Sequence, residues 1–276
     1  MEELVLQSHD GVELRYACEE NQGKPWISLI MPFGMKLRMA EPFINFFKDH
    51  YSIITWEARS VLDPLERDVT AEEFAVENHV KDQFTLLDHL GLEQCILVGY
   101  CSGAGIALAA INEQPDRFSQ LVLVHGEYTM LEEPGCTTHF AADIDSLLSM
   151  AANSEKHAAL VHERIKSERL EASANLPDGI DEPYSELTYL RRHAMNYLAY
   201  KSVDYKALAA SVQHKTFLLT GARDVQANVE SSQLIKSMIE NSRIYVDPRA
   251  DHYGMIREAS STMIAIWNYL SEQIDG

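Results

Sequence analysis

Two hydrophobic rhythms alternate along most of this chain. Short, mostly apolar runs at Trp26–Met31, Tyr51–Trp56, Cys95–Val98, Gln120–Val124, Thr216–Thr220 and Arg243–Val246 read as strands, several of them apolar enough to be covered on both faces. Between them, Ala40–Lys48, Glu73–Leu90, the stretch from Ile106 to Ile111, Val229–Glu240 and Ile256–Ile274 carry apolar residues at helical spacing. Glu3–Gln7 and Val12–Ala17 flank Asp10-Gly11 and read as a hairpin, and Gly91 closes the helix before it. From Thr129 to about Ser211 the strand signal disappears. Ile144–Ala152, Glu155–Leu170, Tyr184–Tyr200 and Tyr205–Ala210 read as helices, interrupted by Asn175-Leu176-Pro177-Asp178-Gly179. The pattern predicts an α/β fold: a mostly parallel, doubly wound sheet formed by residues 1–128 and 212–276, with residues 129–211 inserted as a helical cap.

The junction Ile96-Leu97-Val98-Gly99-Tyr100-Cys101-Ser102-Gly103-Ala104-Gly105 is the most chemically specific part of that pattern. An apolar strand enters a Gly-x-Cys-x-Gly turn and leaves as a helix, which is the setting of a nucleophile elbow. Glycines on both sides are what a sharp, strained turn requires. A merely buried cysteine would not explain the pair, and Ser102 lacks it, because its own flanking positions are Tyr100 and Ala104. On these residues the chain resembles the α/β-hydrolase superfamily, which implies an α/β-hydrolase fold and the chain order nucleophile, acid, histidine. Asp224 follows the apolar run Leu218-Leu219-Thr220, and His252 follows the last strand, so Cys101, Asp224 and His252 form the expected catalytic set. Asp251 is a poor acid for a ring on the next residue, and Asp247 is poorly placed as well. The resemblance also implies two backbone N–H groups for an oxyanion. One is that of Ser102; the other belongs to the Met31-Pro32-Phe33-Gly34-Met35 segment, with Gly34 expected ahead of Phe33. That segment departs from the usual His-Gly-x, and Trp56-Glu57-Ala58-Arg59-Ser60 departs from the usual Asp-x-Arg-Gly.

A cysteine at the elbow narrows the resemblance. Dienelactone hydrolases have a similar Gly-Tyr-Cys-x-Gly-Gly elbow, matched here by Gly99 to Gly103 followed by Ala104, but they lack a long cap. The chain more completely resembles the cysteine-dependent aminoacyltransferases of nonribosomal peptide pathways, such as those of coronamic acid and syringomycin biosynthesis. That resemblance implies transfer of an aminoacyl group between the phosphopantetheine arms of carrier proteins, with Cys101 as acyl acceptor. Peptidyl or acyl carrier proteins are then the partners, and the arm is a substrate carrier rather than a bound cofactor; no metal is expected. Thioester-for-thioester exchange is nearly balanced, whereas a serine ester would make the return to a thiol uphill. A thioesterase, or a small ester or lactone hydrolase, is the alternative. An ammonium substrate would call for a carboxylate near the elbow. Glu127 and Glu57, at strand ends, are candidates that could equally be loop carboxylates, and Tyr100 is a third candidate contact.

Composition adds exclusions. With 23 Lys+Arg against 42 Asp+Glu, the formal net charge of −19 argues against nucleic-acid binding. No apolar run is long enough for a membrane helix, the acidic start lacks a basic leader region, and the four cysteines show no scaffold spacing, so a reduced, cytoplasmic setting is expected. Cations gather at Arg164, Lys166, Arg169, Arg191, Arg192, Lys201 and Lys206. Arg191 and Arg192 could dock an acidic carrier, or the group could balance Glu163, Glu168 and Glu171 on solvated helix faces.

Overall fold

The computed structural model describes residues 2–172 and 177–272. Eight strands form one sheet: β1 (Leu4–Gln7), β2 (Glu13–Glu19), β3 (Trp26–Ile30), β4 (Ser52–Trp56), β5 (Cys95–Tyr100), β6 (Phe118–Val124), β7 (Thr216–Gly221) and β8 (Ser242–Asp247). Their spatial order is β1-β2-β4-β3-β5-β6-β7-β8. β2 is antiparallel to both β1 and β4, and every other pairing is parallel. β4, β5 and β7 are buried at every position, as expected of central strands covered on both faces.

Two apolar cores lie on opposite faces. On one, α2 (Val76–His89), α3 (Ser102–Glu113) and α8 (Val229–Met238) pack through residues such as Phe84, Ile106 and Ile235. On the other, α1 (Glu41–Phe47) and α9 (Ser261–Ser271) contribute Phe43, Phe47, Met263 and Ile266. Two helices start later than the periodicity suggests. A separate 3-10 turn at Ala71–Phe74, with a Thr70/Glu73 capping box, precedes α2, and extended Ala75 breaks the two apart. Ser260 caps α9 by accepting the Met263 N–H at 3.2 Å, so Gly254–Ile256 is a separate 3-10 turn. The expected end of α9 at Ile274 and the breaker residues Asn175 and Leu176 lie outside the described residues.

Between β6 and β7 come α4 (His139–Asn153), α5 (Glu155–Ala172), α6 (Leu187–Lys201) and α7 (Tyr205–Ala210). The first three pack on one another around a small cluster of their own: Leu148, Ala151, Ala158, Val161, Leu190 and Ala194. α7 instead packs against α3 and α8, with Tyr205 and Ala209 in the sheet's core. The inserted helical layer is therefore α4–α6, shorter at its C-terminal end than residue 211.

α6 is fastened to the sheet domain by buried polar contacts. Arg192 donates to the carbonyl oxygens of Asp63 at 2.7 Å, Pro64 at 3.1 Å and Arg67. Asn196 bonds the buried His79 of α2 at 2.8 Å. A second buried arginine, Arg59, occupies the Glu57-Ala58-Arg59-Ser60 turn and clamps Asp82 and Asp10 with hydrogen bonds of 2.8 to 3.1 Å. The arginine that ends the expected Asp-x-Arg-Gly pattern thus has a structural post here.

Candidate active site

Cys101 sits between β5 and α3 with φ 54° and ψ −120°, a backbone conformation that non-glycine residues rarely adopt. The elbow is held by Cys101 N–H donating to Val124 O at 3.0 Å and by the Cys101 carbonyl accepting from Ala104 and Glu127. Its glycines are forced by close approach. A Cβ on Gly99 would lie 2.5 Å from the Gly103 carbonyl oxygen, and one on Gly103 only 2.2 Å from that of Ile30. The thiol stays partly accessible at the C-terminal edge of the sheet.

The loop after β8 brings His252 close enough to Cys101 for their charges to act on each other, and the loop after β7 brings Asp224 to the ring, with His252 Nδ1 to Asp224 Oδ2 at 2.8 Å. Burial alone would depress the imidazole, but the facing charges of Cys101 and Asp224 and the hydrogen bond to Asp224 push it up to about 10. Burial opposes the charge on Asp224; the His252 charge and two histidine hydrogen bonds outweigh it and hold the carboxyl far below its usual range. Asp224 Oδ1 is capped by the amides of Gln226 and Ala227 at 2.8 and 2.9 Å. Asp251 turns away to Arg257 at 2.7 Å.

The second histidine on Asp224 is His125, immediately after β6. Its Nδ1 reaches Asp224 Oδ2 at 3.0 Å, while Nε2 lies 3.4 Å from Thr262 of α9. Sequence reasoning passed over His125 because only His252 follows the last strand. The missed signal was its place at the end of a central parallel strand, beside the elbow strand, where sites in open α/β sheets collect. Among the described residues, ligand atoms of His125, Asp224 and His252 also lie within 4.8 Å of one another, a spacing a metal ion could use. In this geometry both Nδ1 atoms are engaged by the carboxylate.

The remaining candidates separate. Ser102 N–H is at the first turn of α3, and the amide of the β3 segment that reaches the elbow is that of Phe33, donating to Ser102 Oγ at 3.1 Å. Gly34, expected there, has φ +76°, and a Cβ on it would meet Pro183; the Phe33 N–H is taken up by Ser102 Oγ. Glu127 follows His125 and Gly126 and borders the elbow through its own N–H, 3.2 Å from Cys101 O. Glu57 does not reach the thiol's surroundings: Leu37 N–H donates to it at 3.0 Å, and Arg15 and Lys36 lie 3.6 and 3.7 Å from its other oxygen. Tyr100 is fully buried and donates its hydroxyl to the His252 carbonyl at 2.7 Å, which anchors the histidine loop rather than meeting a substrate.

Arg192 is 3% exposed and bound to backbone carbonyls, so it cannot meet a docking partner; neighbouring Arg191 is exposed. Lys201 pairs with Asp145 and Lys206 with Glu133. The expected cationic cluster is therefore largely dispersed among local acids, and the side chains of Arg169, Glu168 and Glu171 lie outside the described residues.

A buried acid hydrogen-bonded to an imidazole, with a thiol nearby on a strained turn after the fifth strand of this sheet, is the constellation of α/β-hydrolase-fold enzymes. The family model for the alpha/beta hydrolase fold matches residues 63–259, and the chain belongs to that family. It is similar to an L-allo-isoleucyltransferase of Pseudomonas savastanoi pv. glycinea, 23% identical over 233 residues, covering 83% of this chain and 80% of the relative. A 2-hydroxymuconate semialdehyde hydrolase of Pseudomonas putida is 26% identical over 200 residues, covering 70% and 68%. The solved structure of a hydrolase from Pseudomonas aeruginosa PA01 superposes with a TM-score of 0.73 at 20% identity, covering 97% of this chain and 98% of that one. Among the described residues, no helix is long and apolar enough to cross a membrane.

Proposed function

We propose that this chain is an acyltransferase that carries an aminoacyl group from one carrier protein's phosphopantetheine thiol to another through an S-acyl Cys101 intermediate. The observation that carries the reading is the thiol itself, placed at the elbow close to His252, which Asp224 holds at 2.8 Å. The similarity to an L-allo-isoleucyltransferase over four-fifths of both chains supports it.

The chemistry follows from the groups present. Cys101 Sγ, its proton taken by His252, attacks the thioester carbonyl, and the resulting oxyanion is met by the amide of Ser102 and one from the Met31–Met35 segment. The carbon–sulfur bond to the incoming arm breaks, and the imidazolium returns its proton to the departing thiolate. A second pantetheine thiol then gives a proton to His252, attacks the acyl carbon and frees Cys101, which recovers the proton. Both halves exchange one thioester for another, so neither is steeply uphill. Raising His252 to about 10 makes its ring a strong acceptor for the thiol's proton.

Hydrolysis is the competing reading, as a thioesterase or a small ester or lactone hydrolase, and the similarity to a semialdehyde hydrolase favours it. The two differ in what attacks the acyl-enzyme. Intact-mass spectrometry with an aminoacyl-loaded carrier should find one acyl group on the wild type and none on Cys101→Ala; an adduct on that variant overturns the reading. Cys101→Ser should acylate slowly and then hydrolyse or stall, because its oxoester is the more stable product. Efficient transfer by the serine variant would remove the argument from thioester balance.

A further inference from the structure

Next to the elbow in the chain's path lies a glutamate whose carboxylate makes no ion pair among the described residues. Glu127 is half-buried. One of its oxygens, Oε1, accepts the Thr129 N–H at 2.7 Å; among the described residues no side chain bonds or ion-pairs the other. Its main chain is fixed to the elbow through the Cys101 carbonyl, and its own carbonyl accepts the Tyr200 hydroxyl at 2.5 Å. Tyr200 reaches in from α6 over Gly105, where any Cβ would lie 2.1 Å from the hydroxyl oxygen. Tyr128 and Tyr205 extend this aromatic wall, with ring centroids 4.6 Å apart for Tyr200–Tyr205 and 6.4 Å for Tyr128–Tyr205. The Tyr128 hydroxyl is buried without a partner.

We infer that Glu127 is the recognition site for the α-ammonium group of the acyl chain carried on Cys101. The inference rests on the acyl-transfer reading and supplies the group by which an aminoacyl chain is told from a plain one. A half-buried carboxylate that makes no ion pair gains when a ligand brings a positive charge to it. Burial pushes Glu127 up to about 7, partly offset by the Thr129 N–H and the positive His252, so at neutral pH a bound ammonium draws the group fully into its charged form. Geometry supports the same assignment. The α-nitrogen of an acyl group is one carbon away from the carbonyl attacked by Cys101, and Glu127 is anchored directly to the elbow that holds that cysteine. Glu57, the other carboxylate at a strand end, is already neutralised by Arg15 and Lys36, and it cannot take this part.

The test uses small N-acetylcysteamine thioesters that differ only at the α-carbon: a free amine, a hydrogen in its place, and an N-acetylated amine. The rate of Cys101 adduct formation is read by intact mass. Wild type should prefer the free amine over both neutral forms by about 10- to 100-fold, the range of a charge-assisted contact in a partly desolvated site. Glu127→Gln, nearly isosteric and uncharged, should bring that ratio to within about threefold of unity. A preference that survives in Glu127→Gln overturns the assignment. If Glu127→Gln does not fold, wild type alone decides, because equal rates with amine and N-acetyl substrates contradict a charge-reading site. The two levels separate cleanly: adducts without preference remove only the role of Glu127, whereas no adduct from any thioester removes the acyl-transfer reading with it.

Discussion

At the residue scale, the candidate site is organised around one carboxylate oxygen. Asp224 Oδ2 takes hydrogen bonds from both His252 and His125, while Oδ1 takes two main-chain amides. Such a carboxylate is fixed as an anion and fixes the tautomer of each ring. His125→Phe should cost about 1–3 kcal/mol of stability by leaving a buried acceptor short of a donor. His125→Asn, whose amide can still donate, should recover part of that loss; thermal melts of the pair check it, and equal melting of Phe and wild type would contradict it. The imidazole of His252 makes a pH prediction. Its folded-state value of about 10 is above the ordinary 6.5, so the charged ring contributes stability that is complete below about 6.5 and is lost as pH rises through about 10. Cys101→Ala removes the facing thiolate charge and leaves burial, which acts the other way, less opposed. Histidine resonances followed by NMR across pH should therefore place His252 of that variant lower than in wild type; an unchanged midpoint would show that Asp224 alone sets it.

At the scale of elements, the same sequence feature can mean an anchor or a free surface, and only packing decides which. Arg191 and Arg192 are adjacent on α6 and indistinguishable by composition. Yet one is exposed, and the other binds three carbonyl oxygens of the 63–67 loop. Arg192→Met should cost about 1–3 kcal/mol, since three buried acceptors lose a shared donor, whereas Arg191→Glu should melt within about 0.5 kcal/mol of wild type. Comparable losses in both variants would contradict this division. Adjacent residues on a helix point in different directions, so the pair could be split only once the neighbour of each face was known. The elbow was legible for the opposite reason: Gly99, Cys101 and Gly103 carry backbone requirements in their identities, and Asp224 and His252 follow strands whose order the fold prescribes. His125 was not legible, because its partner lies on a loop 99 residues away and no local pattern announces the contact. The oxyanion segment fell between these cases, since the turn could be located from sequence but the amide turned toward α3 depends on the local φ and ψ at Phe33 and Gly34.

For the whole molecule, a net charge of −19 sets the terms on which a partner approaches. The proposed carriers are acidic, and of the cap cations Arg192 is buried while Lys201 and Lys206 are already paired. Long-range repulsion should therefore oppose encounter, and docking should depend on short-range contacts made after approach. Salt screens charge over about 8–10 Å near physiological ionic strength. Raising it from about 50 to 300 mM should thus increase kcat/KM with a carrier substrate and leave it nearly flat with a small neutral thioester; a fall with the carrier would instead reveal a cationic docking face.

The central claim, that Cys101 holds an acyl group for a thiol and not for water, is tested most directly by following the acyl-enzyme after it has formed. Wild-type protein acylated from an aminoacyl thioester is freed of excess donor and divided between buffer and buffer containing free pantetheine, and the adduct is followed by intact mass. The adduct should persist in buffer and be discharged at least about tenfold faster by pantetheine, with the aminoacyl group recovered on the added thiol. Loss at the same rate in both, with the free amino acid as product, would contradict transfer and make this chain a hydrolase.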